Sequence, residues 1–363
     1  MFSRLQRLFG SVFVPKYVTT LSFHDQDIRM VAAKSDQGVF MIHAIDTVPL
    51  DPDVMVDGYV KNTSGLLKAL SLLQKKHNPY KVHVVIPSNH MWSFGYPITI
   101  PYGVSTTRAI DEFVPSLLQK YTGHDPYDLE VQISVLHTWS GGVYVHIVAL
   151  YRPYIETFTT LLKQLRIKVA SVKTHMQAIA EKTLGSNKSV VLVDVGSRSI
   201  RVGVADNGRI FLGDAMSGGV AQMYQFLSRR LGAGRDDQVL SILWDHGVAE
   251  THKDPYVKEV LQSMLSPVVR WIDDTFMSWH SDRYNGNHVR NPIAHGYVFG
   301  DAATLPGLVR YMTRSTRIPM QHPDAWKDFA NYTRQEVAPM HARDVVHFGA
   351  PITTTMIELA NEK

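Results

Sequence analysis

A carboxylate and a glycine stand two positions apart where an apolar run ends, in the stretch VVLVDVGSRSIRVGVADNGRI from Val190 to Ile210. Asp194 and Gly196 are followed by small polar residues and then by a second apolar run, a pattern that predicts strand, turn and strand. Successive backbone N–H groups in such a turn can hold a phosphate group. The stretch therefore predicts a candidate phosphate-binding hairpin.

Other kinds of reactive site are not supported by the composition. The chain contains no cysteine, which excludes disulfides, thiolate metal sites and cysteine nucleophiles. No HExxH or similar spacing occurs. Four histidines alternate with apolar residues on predicted strands, which favours core or surface positions over metal ligation: His24, His83, His137 and His146. We therefore predict neither a metal site nor a catalytic residue.

Length and charge bound the class of protein. A chain of 363 residues is too long for one ordinary core, so two or more lobes are expected. The formal net charge of +4 comes from Lys and Arg spread along the chain, which does not favour a nucleic-acid surface. No stretch approaches about 18 uninterrupted apolar residues, and the first residues lack the features of a secretion signal. We expect a cytoplasmic location.

The same sequence pattern occurs in both halves of the chain. When LSFHDQDIRMVAAKSDQGVF is laid beside VDVGSRSIRVGVADNGRI, Ser22 aligns with Asp194 and His24 with Gly196. Ile28 then falls on Ile200 and Arg29 on Arg201, and both copies continue into a hairpin. Two copies of three strands followed by helices predict two similar α/β lobes that face a cleft.

The pattern of elements also predicts how the chain is divided. Residues 1–17 form an amphipathic or disordered segment, and residues 18–96 form the first lobe together with 173–189, with 345–363 as a candidate addition. Residues 97–172 form a small inserted α+β module, and 190–344 form the second lobe, with a helical part at about 220–295.

The order of these pieces resembles the actin-like ATPase superfamily, in the branch of the pilus assembly protein PilM and the cell-division protein FtsA. The resemblance covers nearly the whole chain from Val18 onward. The family's phosphate motifs fall at Ser22–Ile28 and Asp194–Ile200, and its adenosine motif falls at Phe299–Gly307. It implies a two-lobed fold of duplicated ribonuclease-H-like lobes, with the inserted module where this branch carries its extra subdomain. The length fits the PilM family better than FtsA.

The resemblance also implies where a nucleotide and its Mg²⁺ would bind. The residues of this cofactor site would be Asp194, Gly196, Ser197, Arg198, Gly218, Gly219, Gly300 and Asp301. The first phosphate motif, at Ser22, His24 and Asp25, departs from the family, because Ser22 replaces a carboxylate and His24 replaces a glycine. Loss of one charged hydrogen-bond partner costs about 1.5–3 kcal/mol, and Asp301 adds a carboxylate where a second glycine is usual. We expect weak ATP–Mg²⁺ binding or none, and no required cofactor.

The function that we favour from the sequence is a scaffold that binds other proteins. Two other functions remain as alternatives. One is an active actin-like ATPase of pilus assembly, although both hallmark residues of its first hairpin are missing. The other is an FtsA-like membrane tether, although the end TTTMIELANEK is short and not basic. For the scaffold, the resemblance implies a type IV pilus or type II secretion-like machine at the inner face of the cytoplasmic membrane.

The implied partner is a PilN-like inner-membrane protein, beside other pilus-assembly components. Its N-terminal cytoplasmic peptide would lie in a groove between the first lobe and the inserted module. The candidate walls of that groove are Leu66, Leu70, Ile98, Phe113 and Leu117. Residues 1–16, with six apolar side chains near helical spacing and basic residues between them, would contact the membrane surface or a protein partner.

Overall fold

A computed structural model describes residues 17–36, 39–232, 236–249, 255–285, 290–324 and 346–361. The predicted N-terminal segment lies outside these residues apart from Tyr17. Among the residues that are described, no helix is both long enough and apolar enough to cross a bilayer.

The described residues form fifteen strands and nine α-helices. The strands are β1 (Val18–Phe23), β2 (Asp27–Asp36), β3 (Val39–Pro49), β4 (Met55–Val56), β5 (Tyr59–Val60), β6 (Lys81–Ile86), β7 (Met91–Thr99), β8 (Leu129–Trp139), β9 (Gly142–Tyr151), β10 (Lys168–Thr174), β11 (Ser189–Val195), β12 (Ser199–Asp206), β13 (Arg209–Ser217), β14 (Ile293–Phe299) and β15 (Met320–Gln321). The helices are α1 (Thr63–His77), α2 (Thr106–Thr122), α3 (Arg152–Gln164), α4 (His175–Ala180), α5 (Val220–Leu231), α6 (Asp236–Ser241), α7 (Pro255–Asn285), α8 (Leu308–Thr316) and α9 (Gly349–Asn361).

The first lobe is built on a five-stranded sheet in the order β10-β6-β1-β2-β3. Strands β1 to β3 form an antiparallel meander, and β6 and β10 add to it in parallel. The apolar faces of α1 and α3 pack on the sheet in one core, while α9 packs on β1 and β2. Because helices cover the sheet on two sides, all six residues of β1 are buried.

The second lobe repeats the first. Its sheet has the order β13-β12-β11-β14-β15, which is the same arrangement of meander and parallel strands. The pairing register is also the same, since Ser22 faces Arg29 in the first lobe and Asp194 faces Arg201 in the second. Helices α5, α7 and α8 pack on this sheet in one core. The chain thus has an α/β fold made of two duplicated lobes.

A third unit separates two parts of the first lobe. Strands β7, β9 and β8 form a sheet in that order, and α2 covers one face of it. Ser105 caps the N-terminus of α2, because its side chain accepts a hydrogen bond from Arg108 N–H, and Gly123, in the left-handed conformation, caps the C-terminus. We call β7, α2, β8 and β9 the module.

The bounds of the module differ from the predicted range 97–172. Its sheet begins earlier, at β7, and ends with β9. Helix α3 packs in the first-lobe core, and β10 pairs with β6 at the edge of the first-lobe sheet. An amphipathic helix followed by an apolar strand has the same sequence pattern whichever sheet it joins. The pattern alone therefore assigned α3 and β10 to the module, whereas both belong to the first lobe.

Candidate functional site

The two predicted phosphate hairpins lie between the lobes, and an equivalent backbone hydrogen bond closes the turn of each. His24 N–H donates to the Asp27 carbonyl in the first, and Gly196 N–H donates to the Ser199 carbonyl in the second, each at 2.9 Å. These two donors are therefore satisfied inside their own turns. The hairpins are equivalent, as the alignment of the two halves predicts.

Glycines allow two other segments to approach the second hairpin closely. A Cβ on Gly219, which has φ +108°, would lie 2.4 Å from the Gly196 carbonyl oxygen. A Cβ on Gly300, which has φ +96°, would lie 2.4 Å from a carboxylate oxygen of Asp194. Gly218 N–H donates to the Arg198 carbonyl, and Ala221 N–H donates to the Ser197 carbonyl. The structure thus gathers the predicted cofactor residues of the second lobe in one place.

Side chains of the first hairpin reach across the cleft to the second lobe. Ser22 Oγ lies 2.9 Å from His24 Nε2 and 3.3 Å from His175 Nε2. The His24 and His175 rings stack with their centroids 4.4 Å apart. His24 Nδ1 lies 3.1 Å from Asp301 Oδ1, and this N–H donates because an ionised carboxylate can only accept. The three residues that depart from the nucleotide-binding pattern, Ser22, His24 and Asp301, therefore form one network.

Arg29 adds a second bond to the same carboxylate oxygen. Its guanidinium lies 3.3 Å from Asp301 Oδ1, pairs with Asp27 at 2.7 Å, and donates to the His347 carbonyl at 2.8 Å. The side chain is only 4% exposed. Burial alone would raise the pKa of Asp301, but His24 and Arg29 outweigh it and hold that pKa below its usual range.

Two more bonds cross the cleft beside this network. The Asp25 carboxylate accepts hydrogen bonds from Asp57 N–H and Gly58 N–H, at 2.9 and 2.7 Å, and from Ser197 Oγ of the second lobe at 2.7 Å. Arg201 of the second lobe donates to the Ser88 carbonyl of the first at 2.9 Å. Arg29 and Arg201 occupy equivalent positions in the repeat, and each binds the opposite lobe.

Asp194 is the retained carboxylate of the second hairpin, and it is 9% exposed. Burial raises its pKa to about 7; Arg201 lowers the pKa and Asp301 raises it. A carboxyl group in this state exchanges a proton near neutral pH, and its charge is costly to keep in the folded protein.

The space left between the hairpins is small. The cavity has a volume of about 40 Å³ and is lined by residues of both lobes, among them Asp25, His175 and Asn89. A water molecule needs about 10–15 Å³ of such space, whereas small-molecule sites usually measure about 300–1,000 Å³. The described cavity is therefore large enough for water and much smaller than a usual small-molecule site.

A second contact between lobes lies outside the cleft. Ser93 and His146 of the module both donate to the Ile210 carbonyl of β13, with His146 Nε2 at 2.7 Å. Arg290 donates to the Tyr144 hydroxyl at 2.9 Å and lies over the Trp279 ring. We call this contact the module clasp.

The predicted peptide-groove residues are not brought together. Leu66 and Leu70 are fully buried in the first-lobe core, and Ile98 and Leu117 are buried in the core of the module. Only Phe113 is substantially exposed, at 42%. A groove on the surface must therefore be lined by other residues, because amphipathic spacing marks the buried face of α1 and α2.

Sequence reasoning missed several residues of the cleft: Asp57, Gly58, Ser88, Asn89, His175 and His347. Nothing in their spacing connects them to the hairpins. Arg29 and Arg201 were visible as matched positions of the repeat, which was a usable signal. Within the described parts of the chain, no group of three or more His, Asp or Glu side chains is placed to hold a metal ion.

Comparison with known proteins gives a result at the level of the fold. No protein-family model and no curated protein matches the chain. A chain of the PilM–PilN type IV pilus biogenesis complex superposes with a TM-score of 0.70 and 12% identity, over 96% of this chain and 99% of that one. MreB5 of Spiroplasma citri bound to ADP gives a TM-score of 0.53 and 10% identity, over 96% and 98%. The duplicated lobes with their module therefore have the actin-like ATPase fold, in a form similar to that seen in the PilM–PilN complex.

Proposed function

We propose that this chain is a PilM-like cytoplasmic scaffold of a type IV pilus or type II secretion-like machine. It binds the N-terminal cytoplasmic peptide of a PilN-like inner-membrane protein and does not depend on nucleotide. It works at the inner face of the cytoplasmic membrane beside other assembly components, with residues 1–16 as a further contact to the membrane. The likeness of its fold to a chain of the PilM–PilN complex supports the partner.

The observation that carries the scaffold function is the network across the cleft. His24, Arg29 and Asp301 meet between the hairpins, where a nucleotide's phosphates would have to lie. A polyanion placed there would face the Asp301 carboxylate and would have to displace buried ion pairs. Breaking a buried pair costs about 3–5 kcal/mol. This arrangement favours a protein that binds partners over one that turns over ATP.

The exposed surface best suited to a peptide is an aromatic strip beside β7. Side chains at alternate positions of β7 lie on the face that α2 covers, and their rings contact rings of α2. Phe94 lies 4.7 Å from Tyr121, and Tyr96 lies 6.0 Å from Phe113. Trp92 contacts His90, which contacts Tyr59 at the first-lobe turn. The strip thus comprises Tyr59, His90, Trp92, Phe94, Tyr96, Phe113 and Tyr121.

The strip has the features of a peptide site. Strand β7 is an edge strand, paired within its sheet only with β9. An extended peptide can add to such an edge and place alternate side chains against the neighbouring surface. Three rings of the strip are 40–46% exposed: Tyr59, Phe113 and Tyr121. Exposed aromatic side chains are enriched where proteins bind each other. The strip also runs from the module to the first lobe, so a bound peptide would contact both units.

The test measures binding of a fluorescent peptide with the sequence of the cytoplasmic N-terminal segment of the PilN-like protein from the same cell. We expect Phe113→Asp and Tyr121→Asp each to weaken binding at least about tenfold, which corresponds to 1.4 kcal/mol. The matched control is Tyr127→Asp, on an aromatic residue of the module that is 90% exposed and outside the strip. Addition of Mg–ATP should leave the affinity unchanged.

Two results would contradict the proposal. A peptide that binds the wild type and all three variants equally would place the partner elsewhere. Peptide binding that appears only with Mg–ATP would show that partner binding depends on nucleotide.

A further inference from the structure

We propose that the first lobe carries a preformed site for a small anion, and that the chain fills this site itself with the Asp301 carboxylate of the second lobe. The ligand class is a carboxylate or a small oxyanion such as inorganic phosphate. The intramolecular ligand holds the two lobes closed without any bound nucleotide. This inference stands on the cleft geometry and does not depend on the identity of the partner.

The donors of the site converge on one point. His24 Nδ1–H and the Arg29 guanidinium both bind Asp301 Oδ1, at 3.1 and 3.3 Å. Both donor side chains are 4–5% exposed, so water screens these bonds only weakly. Hydrogen bonds to an ionised acceptor are among the stronger ones in proteins.

The first lobe alone fixes the donors in place. Asp27 pairs with the guanidinium at Nε and Nη2, at 2.7 and 3.0 Å, and the His347 carbonyl accepts from Nη1 at 2.8 Å. Ser22 lies 2.9 Å from the other nitrogen of the His24 ring. All of these groups lie on β1, on β2, in the turn between them, or in the segment that leads into α9. His24 and Arg29 therefore keep their orientation when the second lobe moves. The anion site is preformed for this reason.

The ligand is held equally firmly by the second lobe. Gly300 adopts φ +96°, which lets the chain turn sharply at the end of β14. Ala302 N–H donates to the Val195 carbonyl at 2.9 Å, and Ala303 N–H donates to the Gly300 carbonyl at 3.1 Å. Asp301 thus projects from a rigid turn that also supports the second hairpin. The bond between Asp301 and the first lobe is a bond between two rigid bodies.

Chemical rescue tests this assignment. The melting temperatures of wild type, Asp301→Ala and Asp301→Asn are measured in rising inorganic phosphate or formate, with potassium chloride at equal ionic strength as the control. We expect Asp301→Ala to melt about 5 °C or more below wild type, because it leaves a buried guanidinium facing an unfilled site. Phosphate and formate should restore much of this loss with saturation, and the wild type should not respond to either.

The donors can be tested on the same background. In Asp301→Ala combined with Arg29→Gln, the saturable rescue should disappear, because the main positive charge of the site is gone. Asp301→Asn keeps the shape of the side chain without its charge, so it serves if Asp301→Ala does not fold. For that variant, small-angle scattering should show a larger radius of gyration than wild type, and phosphate should reduce it.

The proposal is overturned if both variants are as stable as wild type. It is also overturned if they are destabilised and neither anion acts beyond the chloride control. Neither result bears on peptide binding at the aromatic strip, so failure of this inference is distinguishable from failure of the proposed function.

Discussion

Single residues at matched positions of the two hairpins determine which charged groups meet in the cleft. Asp194 and Ser22 occupy the same position of the repeat, yet one is an acid and the other a hydroxyl. In the first lobe the Ser22 hydroxyl carries no charge, and Arg29 binds Asp27 and Asp301 instead. In the second lobe Arg201 turns to the Ser88 carbonyl, and Asp194 is left buried with a pKa of about 7.

This buried acid predicts a pH dependence of stability. The folded-state pKa of Asp194 is raised from 3.8 to about 7, so the folded protein holds a proton that the unfolded chain has lost. Stability is therefore lost as pH rises from about 4 to 7, by up to about 4 kcal/mol. Asp194→Asn removes this loss, and its advantage over wild type should grow from pH 5 to pH 8 in urea unfolding.

Exposed Asp128 supplies the control for that measurement, since Asp128→Asn removes a carboxylate from the surface of the protein. A difference between Asp194→Asn and wild type that stays constant from pH 5 to pH 8 would show that the carboxyl group ionises freely in the folded protein.

At the scale of elements, the module contacts the second lobe as well as the first. One face of its sheet packs under α2, and the opposite face reaches β13 through the module clasp. His146 is buried at the centre of this contact, 3% exposed, with its ring 4.7 Å from that of Phe211. Burial lowers its pKa to about 4; the Ile210 carbonyl raises the pKa and Arg209 lowers it.

The module clasp should therefore weaken in acid. Because His146 is neutral in the folded protein down to about pH 4 but protonates near 6.5 when unfolded, stability is lost as pH falls through this window. The loss from this one group is up to about 3 kcal/mol. We expect His146→Gln, which cannot titrate, to gain on wild type between pH 7 and pH 4 in urea unfolding. His43→Gln, at an exposed histidine outside the module clasp, is the control, and an equal gain by both variants would assign the effect to general charge.

Elements with strong local signals are the ones that the sequence predicts well. The β1–β2 and β11–β12 hairpins agree residue by residue with the alignment of the two halves, because apolar alternation and turn residues are local properties. Gly123, in the left-handed conformation after α2, is a local stop signal of the same kind. The positions of α3 and β10 depend on contacts between residues far apart in sequence, which no local pattern records. The same holds for the contacts of His175 with His24 and of the His347 carbonyl with Arg29.

At the scale of the whole molecule, the lobes are joined at two separate places by groups of the chain itself. The cleft contributes the bonds of Asp25, Arg29, His24 and Arg201, and the module clasp adds bonds to β13. The sequence predicts that Ser22, His24 and Asp301 each weaken nucleotide binding, and this stays a prediction. In the folded chain these three residues lie in one hydrogen-bond network that joins the lobes.

This closure leads to the last prediction, that Mg–ATP neither binds nor stabilises the protein. Entry of the phosphates requires separation of Asp301 from His24 and Arg29, and of Asp25 from Ser197, in a cavity of about 40 Å³. A nucleotide present at a hundred times its Kd would add about 2.7 kcal/mol of stability. We therefore expect no saturable heat in calorimetric titration with Mg–ATP, and a melting temperature equal to that in MgCl₂ alone. Saturable ATP binding that disappears in Asp194→Ala would show that the lobes open readily and that the second hairpin still holds phosphate.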